Sequence, residues 1–406
     1  MLVFDGRGVR PVRRTRDVLK MADTDAWKVL AGYRIVDHSE FITGPYTAML
    51  LADMGADVIK VERPGRGDPF RSFEEGLYGP QFQAFNRNKK SIQLDLDSER
   101  DRDVMWKLLD AADVYVQNFR PRVAERLGFG AEEAMRRNSR LVHCSISGFG
   151  ADGPYADRPA YDTVGQALSG FLSMFVAQDT PRIVGPATAD SVTGLYAACG
   201  ILGALLARHA TGRGRKVEVA MTAAMAHFSI EQYHRYFVTG VIPNTTDRGR
   251  VSQSFAFACA DGALIAVHLS SPVKFWEGFV RALDAPELAR DARFATRMDR
   301  VRNHEALEAY LRPVFAKRPR TEWLQRLAAE DVPHAPIHDL EEALADPQMR
   351  HLDIERRLRH PTEGDVRTLR SPIAFDGQRQ DGIAPPPALD EHGEAIRTSL
   401  EVRDYD

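Results

Sequence analysis

An aspartate stands immediately before a predicted helix in the segment 158–170, which reads RPAYDTVGQALSG. The ordinary role of an Asp in this position, here Asp162, is to cap the helix. An ionised carboxylate can also act as a covalent nucleophile. The positive end of a helix favours the ionised form by up to about 1 kcal/mol, so the two roles are compatible. Gln166, one turn later, could orient the carboxylate or contact a neighbouring element.

Basic residues follow a predicted strand at 57–61. They would lie at the carboxyl edge of a sheet, where open α/β sheets bind ligands. Guanidinium and ammonium groups in that place could bind phosphate oxygens, although exposed Lys and Arg are also ordinary surface residues. The candidates are Arg63, Arg66 and Arg71, with Lys89, Lys90, Arg120 and Arg126 further along the chain.

The elements around these residues alternate between strand and helix. Strands are predicted at 34–37, 57–61, 91–95, 114–116, 141–146 and 216–221, and helices at 46–54, from about 98 to 112, and at 132–137, 163–175 and 192–210. This alternation predicts an α/β fold with a Rossmann-like, doubly wound sheet. The first strand is followed by HSEFITGP rather than by G-x-G-x-x-G, so NAD binding is not expected.

The pattern divides the chain into four parts. Residues 1–24 are Arg-rich, lack the apolar region of a signal peptide and are predicted to form a disordered extension. Residues 25–222 form the predicted large domain, which would bind the ligand. Residues 223–334 are predicted to form a smaller α+β domain with a pair of short strands. Residues 335–406 are predicted to return to the large domain.

The composition agrees with a protein of two domains, because 406 residues exceed the size of one hydrophobic core. Lys and Arg total 54 and Asp and Glu 57, a net charge of −3 that gives no general attraction to nucleic acid or anionic membranes. Cys144, Cys199 and Cys259 have no metal-ligand spacing, and no run approaches the roughly 20 apolar residues of a membrane span. We expect a soluble cytoplasmic protein without metal, nucleic-acid partner or membrane span.

A series of motifs occupies the region from about Val29 to Met221. They are LADMGADVIKVERPGRGDPFR (51–71), NRNKKSIQLD (86–95), DVYVQNFRP (113–121), ERLGF (125–129), SISGFGADGP (145–154), RPAYDTVGQALSG (158–170) and TGRGRKVEVAM (211–221). In this order they resemble the family III CoA-transferases, which include formyl-CoA transferase, carnitine CoA-transferase and α-methylacyl-CoA racemase. Weaker likenesses follow at 342–349 and 389–396.

The resemblance implies an acyl-CoA:carboxylate CoA-transferase in which Asp162 is the nucleophile. CoA would pass through an aspartyl-CoA thioester on Asp162 to an acceptor carboxylic acid. The resemblance also implies coenzyme A, bound as acyl-CoA, as the cofactor, no metal, and an interlocked homodimer. The CoA contacts that it implies come from Phe41, Ile42, Thr43, Arg63, Asn118, Phe119 and Arg126.

Other positions are weaker candidates. Asp190 matches a position of the family and could make either a structural hydrogen bond or a substrate contact. The turn Ser147-Gly148-Phe149-Gly150 could donate backbone N–H groups to an oxyanion. His143 lies in an apolar strand and is predicted to be a core histidine.

The sequence also departs from the family pattern. Residues 248–261 read RGRVSQSFAFACAD and lack the glycine run of the loop that closes over the aspartate in many of these transferases. Ala160 and Tyr161 precede Asp162 where the racemase branch usually has Gly-His, which favours transfer over racemisation. Two alternatives stay open: an isomerase that uses Asp162 as a base at the acyl α-carbon, and a catalytically silent CoA-binding subunit.

Overall fold

A computed structural model describes residues 25–270 and 272–402, so the predicted extension 1–24 lies outside the described residues. Six strands form one parallel sheet in the order β3-β2-β1-β4-β5-β6, which is the Rossmann order. This confirms the predicted doubly wound α/β fold. The strands are β1 (Arg34–His38), β2 (Asp57–Glu62), β3 (Lys89–Gln93), β4 (Val114–Gln117), β5 (Val142–Ser147) and β6 (Lys216–Ala220).

Helices cover both faces of this sheet, which explains why its central strands are almost wholly buried. Neighbouring residues of β1 point to opposite faces, so Ile35 joins one hydrophobic core and Val36 the other. The helices are α1 (Thr43–Ala52), α2 (Pro80–Phe85), α3 (Glu99–Asp110), α4 (Val123–Arg126), α5 (Ala131–Arg137), α6 (Asp162–Leu168), α7 (Thr188–Thr211), α8 (Met221–Phe228) and α9 (Ile230–Thr239), with 3-10 turns at Pro69–Ser72 and Phe171–Met174.

Helix α7 is the one helix of the described residues that is long and apolar enough to cross a membrane by length and composition. Half of its most apolar window is buried within the protein, as in the core helix of a soluble protein. The helix is therefore only weak evidence for a membrane span. It packs closely on α1, because a Cβ on Gly194 would lie 3.0 Å from the carbonyl oxygen of Thr43. The Thr47 hydroxyl also donates to the Gly194 carbonyl.

A second, three-stranded antiparallel sheet lies further along the chain, in the order β7-β8-β9. It has a separate core in which Phe257, Phe279, Phe315 and Trp323 are fully buried. Its elements are α10 (Asp247–Ser252), β7 (Ser254–Ala258), β8 (Leu264–His268), α11 (Val273–Leu283), α12 (Glu287–Arg290), α13 (Arg297–Arg302), α14 (His304–Phe315), α15 (Arg320–Ala329) and β9 (His334–Ile337).

The last part of the chain packs back on the large sheet. Ile396 and Leu400 of its final helix join the core beneath α3. The predicted boundary between residues 334 and 335 falls inside β9, so the small sheet includes the first residues assigned to the C-terminal segment. The elements are α16 (Leu340–Ala345), α17 (Pro347–His351), β10 (Glu355–His360), β11 (Gly364–Leu369), β12 (Ala374–Phe375), β13 (Gln378–Arg379) and α18 (Gly393–Val402).

Two fully buried lysines hold the loop that follows β1. Lys60 Nζ lies 2.8 Å from Asp68 Oδ2 and donates to the Ser39 carbonyl at 2.8 Å. Lys89 Nζ donates to Asp37 Oδ2 at 2.8 Å. Burial lowers the pKa of Lys60, but Asp68 and Asp37 raise it further, so the net shift is upward and the lysine is charged. Lys89 is likewise a structural residue. Its prediction as a ligand cation is wrong because its ammonium group is buried and paired with Asp37.

Arg71 was also predicted to be a ligand cation, and the structure places it in the scaffold instead. Its side chain is fully buried and makes two hydrogen bonds of 2.7 Å to the Glu62 carboxylate. The guanidinium also lies 3.6 Å from the ring centre of Phe82 and donates to the Pro387 carbonyl. These contacts leave no exposed charge for a ligand, and they tie the end of the chain to β2.

Replacing Lys60 by methionine should leave Asp37 and Asp68 buried without the cation between them. We expect a loss of about 3–5 kcal/mol in the free energy of unfolding, measured by urea denaturation at one fixed protein concentration. Lys90→Met is the matched control, because the Lys90–Asp57 pair is partly exposed and such pairs contribute at most about 1 kcal/mol. Equal losses in the two variants would contradict the role given to Lys60.

Candidate active site

A cavity of about 230 Å³ opens at the carboxyl ends of β1, β4 and β5. Strands β1 and β4 are neighbours, so this is the place where the strand order reverses and where doubly wound sheets bind ligands. The walls come from the loop after β1, the residues after β4, the end of β5 and the segment before α6. Asp190 of α7 and Met221 of α8 complete the lining.

The loop after β1 is held in an unusual conformation. Phe41 has a φ of 64°, in the left-handed region that non-glycine residues rarely adopt. Its N–H donates to Asp68 Oδ1 at 3.2 Å, so the buried network described above fixes this residue directly. Asn118 closes the other side, because its Oδ1 accepts from the Glu40 N–H and its Nδ2 donates to the Glu40 carbonyl and to Thr43 Oγ1.

The structure brings five of the seven predicted CoA residues to this cavity: Phe41, Ile42, Thr43, Asn118 and Phe119. The amide of Asn118 is used to hold the loop. Asn118 therefore both stabilises the loop and forms part of the cavity wall.

The other two predicted CoA residues, Arg63 and Arg126, do not line the cavity. The Arg63 side chain is 69% exposed, and its Nη2 donates to Glu40 Oε1 at 2.5 Å, so it reaches the cavity wall through Glu40. Arg126 is exposed on α4. Two arginines line the cavity instead: Arg120, which was among the weaker basic candidates, and Arg158, which the sequence reasoning missed although it lies within the RPAYD motif.

Asp162 does not cap its own helix, so the N-cap prediction is wrong in its detail. Tyr161 is the N-cap residue of α6, and Asp162 is the first helical residue. Its Oδ1 accepts from the backbone N–H groups of Ala189 at 2.7 Å and Asp190 at 3.2 Å, at the start of α7. Its Oδ2 accepts from Gln166 Nε2 at 2.6 Å, which is the contact that an orienting role of Gln166 requires.

The start of α7 favours a negative charge at Asp162. The first N–H groups of a helix have no partner within it, and the helix dipole is positive at this end. Asp162 takes two of these groups and is half-buried. It lies beside the cavity, since its neighbour Tyr161 and its hydrogen-bonding partner Asp190 both belong to the lining.

The predicted oxyanion turn lies against the chain that leads to Asp162. A Cβ on Gly148 would stand 2.2 Å from the Cβ of Ala160, so only glycine fits here without moving that chain. Ser147 and Gly148 line the cavity. The N–H of Gly150 donates to Ser147 Oγ, which leaves it occupied within the turn.

The pKa values of Asp190 and His143 are shifted in opposite directions. Burial and the neighbouring charge of Asp162 raise the pKa of Asp190 to about 7. His143 is buried within β5, and burial lowers its pKa to about 4, which agrees with the predicted core histidine. Within residues 25–270 and 272–402, no group of three or more His, Cys, Asp or Glu side chains is arranged to hold a metal ion.

Comparison with known proteins identifies the family of this chain. Residues 30–393 match CoA-transferase family III. The chain is 34% identical to the acetyl-CoA:oxalate CoA-transferase of Acetobacter aceti over 90% of this chain and 94% of the relative, and 30% identical to the succinyl-CoA:glutarate CoA-transferase of Mus musculus over 99% and 92%. A CAIB/BAIF family protein from Brucella suis has a similar structure, with a TM-score of 0.81 and 32% identity over 92% of this chain and 99% of that one.

The chain therefore belongs to CoA-transferase family III, and the resemblance noted in its sequence is confirmed. It is a CoA-transferase that moves CoA between acids.

Proposed function

We propose that the enzyme transfers CoA from an acyl-CoA to a carboxylic acid through a covalent thioester on Asp162. The observation that carries the proposal is the setting of the Asp162 carboxylate. It lies beside the cavity, accepts two backbone hydrogen bonds from the start of α7 and a third from Gln166, and has no cation bound to it among the described residues. Such a carboxylate is held in one orientation without a cation that would compete for its charge, as a nucleophile requires.

The chemistry proceeds in two reversible halves. An Asp162 oxygen attacks the thioester carbonyl of the donor, the C–S bond breaks, and a mixed anhydride and CoA thiolate result. The thiolate then attacks the Asp162 carbonyl carbon, releasing the first acid and leaving Asp162 as a CoA thioester. The acceptor carboxylate repeats these steps in reverse order and leaves as the new acyl-CoA. No net proton is consumed, and the thioester energy is retained.

For coenzyme A we assign the cavity wall of Phe41, Ile42, Thr43, Asn118 and Phe119. Backbone and apolar groups of this kind suit the neutral parts of CoA. The exposed guanidinium groups of Arg63 and Arg126 lie outside the cavity, where they suit the phosphates, which stay in contact with solvent.

For the acceptor we propose a dicarboxylic acid. Two relatives are named for oxalate and glutarate. Arg120 and Arg158 line the cavity without an ion pair to any described carboxylate, and Arg158 is held against the ring of Tyr155 at 3.8 Å. A guanidinium that is positioned by an aromatic ring keeps its charge free for the second carboxylate of an acid.

Arg63→Ala should weaken the binding of CoA, because a charge-assisted contact to phosphate is lost. We expect the dissociation constant measured by calorimetry to rise by the equivalent of about 1–3 kcal/mol. Arg136→Ala is the control, since Arg136 is exposed on α5 and pairs with Glu133. Unchanged affinity in a folded Arg63 variant would remove this residue from the site.

Asp162→Asn separates the structural role of this residue from the chemical one. The Asn oxygen can still accept from Ala189 and Asp190, and the Gln166 amide can turn to face the new amide, so the fold should persist. Transfer from succinyl-CoA or acetyl-CoA to oxalate, glutarate or acetate should fall by more than roughly 10³-fold, because an amide is a poor nucleophile. Product acyl-CoA is measured by mass spectrometry.

Two further measurements complete this test. Asp157→Asn changes an exposed carboxylate of the same loop, paired with Arg122, and should retain transfer. Hydroxylamine added to wild type with acyl-CoA should give a hydroxamate at Asp162. Near-normal transfer by the Asp162 variant would exclude the mechanism, and α-deuterium exchange without transfer would favour an isomerase.

We also propose that the enzyme is a homodimer, in the interlocked form that the family resemblance implies, and that it works in the reducing cytoplasm. All three cysteines are free. Helix α9 has no buried residue, although a short helix needs packing to be stable. Exposed apolar side chains occur on α9 itself, on α7 and α8, and in the segment after α9: Phe237, Val238, Leu195, Leu206, Phe228 and Ile242. A second copy of the chain would bury this surface.

Val238→Glu should destabilise the dimer, because it places a charge in the buried interface. Because interlocked chains can associate only as they fold, both proteins are refolded from urea at one protein concentration. Light scattering should then show a dimer for wild type and a larger monomer fraction for the variant. Met298→Glu changes an equally apolar, exposed residue on α13 and should leave the dimer intact. A wild-type enzyme that is monomeric and fully active would contradict the proposal.

A further inference from the structure

A second carboxyl group shares the start of α7 with Asp162. The backbone N–H of Asp190 donates to Asp162 Oδ1, and Asp190 forms part of the cavity lining. No described side chain or backbone group is hydrogen-bonded to this carboxyl. Asp190 is therefore a cavity acid without a partner, directly beside the proposed nucleophile.

The charged groups around Asp190 make its ionisation unfavourable. Asp162 on α6 is the nearest anion, Glu40 of the β1 loop is a second acid of the wall, and α8 contributes only the neutral Met221. Arg120 and Arg158 also line the cavity, but neither forms an ion pair with Asp190. The helix end offers little compensation, since its N–H groups at positions 189 and 190 are already donated to Asp162.

Burial and the charge of Asp162 together raise the pKa of Asp190 to about 7. Burial also raises the pKa of Glu40, although its pairing with Arg63 opposes that shift. Asp190 differs from Glu40 because no described cation is paired with its carboxyl group.

We propose that Asp190 binds the acceptor acid as a protonated carboxyl, donating an O–H hydrogen bond to the incoming carboxylate. The proposal rests on the transfer mechanism given above and names one more substrate-binding residue for it. An ionised Asp190 would repel an acceptor that must approach Asp162. A protonated carboxyl instead makes a short, charge-assisted hydrogen bond to a carboxylate.

The hydrogen bond acts in the second half of the reaction. One oxygen of the acceptor carboxylate attacks the carbonyl carbon of the Asp162 thioester, the C–S bond breaks, and CoA leaves as the thiolate. The product on Asp162 is the mixed anhydride with the acceptor. The Asp190 proton stays on Asp190 throughout, so the step remains balanced without a proton donor or a further reactant.

The test measures the acceptor step alone as a function of pH. The Asp162 thioester is first formed with the best donor of the transfer assay. The best acceptor is then added at limiting concentration from about pH 6 to about pH 9. For wild type the second-order rate should fall about tenfold per pH unit through the alkaline part of this range, as expected when one protonated group is required. Asp162 carries no charge while it is a thioester, so burial alone raises the pKa of Asp190 in this step and the fall begins below about pH 7. Asp190→Asn, which is neutral at every pH and can still donate, should change less than about threefold over this range.

Glu40→Gln is the matched control and should keep the alkaline fall of wild type. An alkaline fall that persists in Asp190→Asn would overturn the proposal, as would an acceptor step that is lost at all pH values in this variant. A wild-type rate that does not fall above pH 7 overturns it without any variant. Failure to form the thioester in wild type before acceptor is added would count against the transfer mechanism, which separates the two failures.

Discussion

Two buried lysines determine the shape of this active site. Lys60 and Lys89 are surrounded by Asp37, Asp68 and backbone carbonyls at the carboxyl ends of β1 and β2. Buried charges of this kind are tolerated only when they are paired and their hydrogen bonds are satisfied. Here the pairing also has a local consequence, because Asp68 accepts from the N–H of Phe41 and holds that residue at positive φ. The cavity wall thus depends on charges that no ligand can reach.

The second constraint is the packing of α7 on α1. Gly194 allows the two helices to approach until a Cβ would touch the Thr43 carbonyl, and Thr43 itself belongs to the cavity wall. The same contact therefore fixes the wall and the start of α7, whose N–H groups hold Asp162. One helix end then holds two acids in different surroundings: Asp162 accepts hydrogen bonds from its N–H groups, whereas the Asp190 carboxyl has no such bond. A nucleophile and a proton-bearing neighbour can arise in this way from a single structural element.

The basic residues illustrate how similar residues acquire different roles. Arg71 and Lys89 come from the same motifs as Arg63 and Lys90, yet the former are fully buried and paired while the latter are exposed. In β3, adjacent residues point to opposite faces of the sheet, so Lys89 enters the scaffold and Lys90 the surface. Of the three arginines that follow β2, Arg71 is the one that binds the Glu62 carboxylate and lies against the ring of Phe82.

The sequence by itself determined the alternating elements, the parallel sheet, the family and the candidate nucleophile. These features are encoded locally, in strand and helix periodicity and in motifs of ten to twenty residues. Strand ends were predicted within a few residues, as β3 at Lys89–Gln93 against 91–95 shows. Only the tertiary structure decided that Asp162 caps α7 rather than α6, that Arg158 lines the cavity and that Asp190 lies unpaired beside it. These facts depend on contacts between segments far apart in the chain, where burial and charge are set by neighbours that no local pattern records.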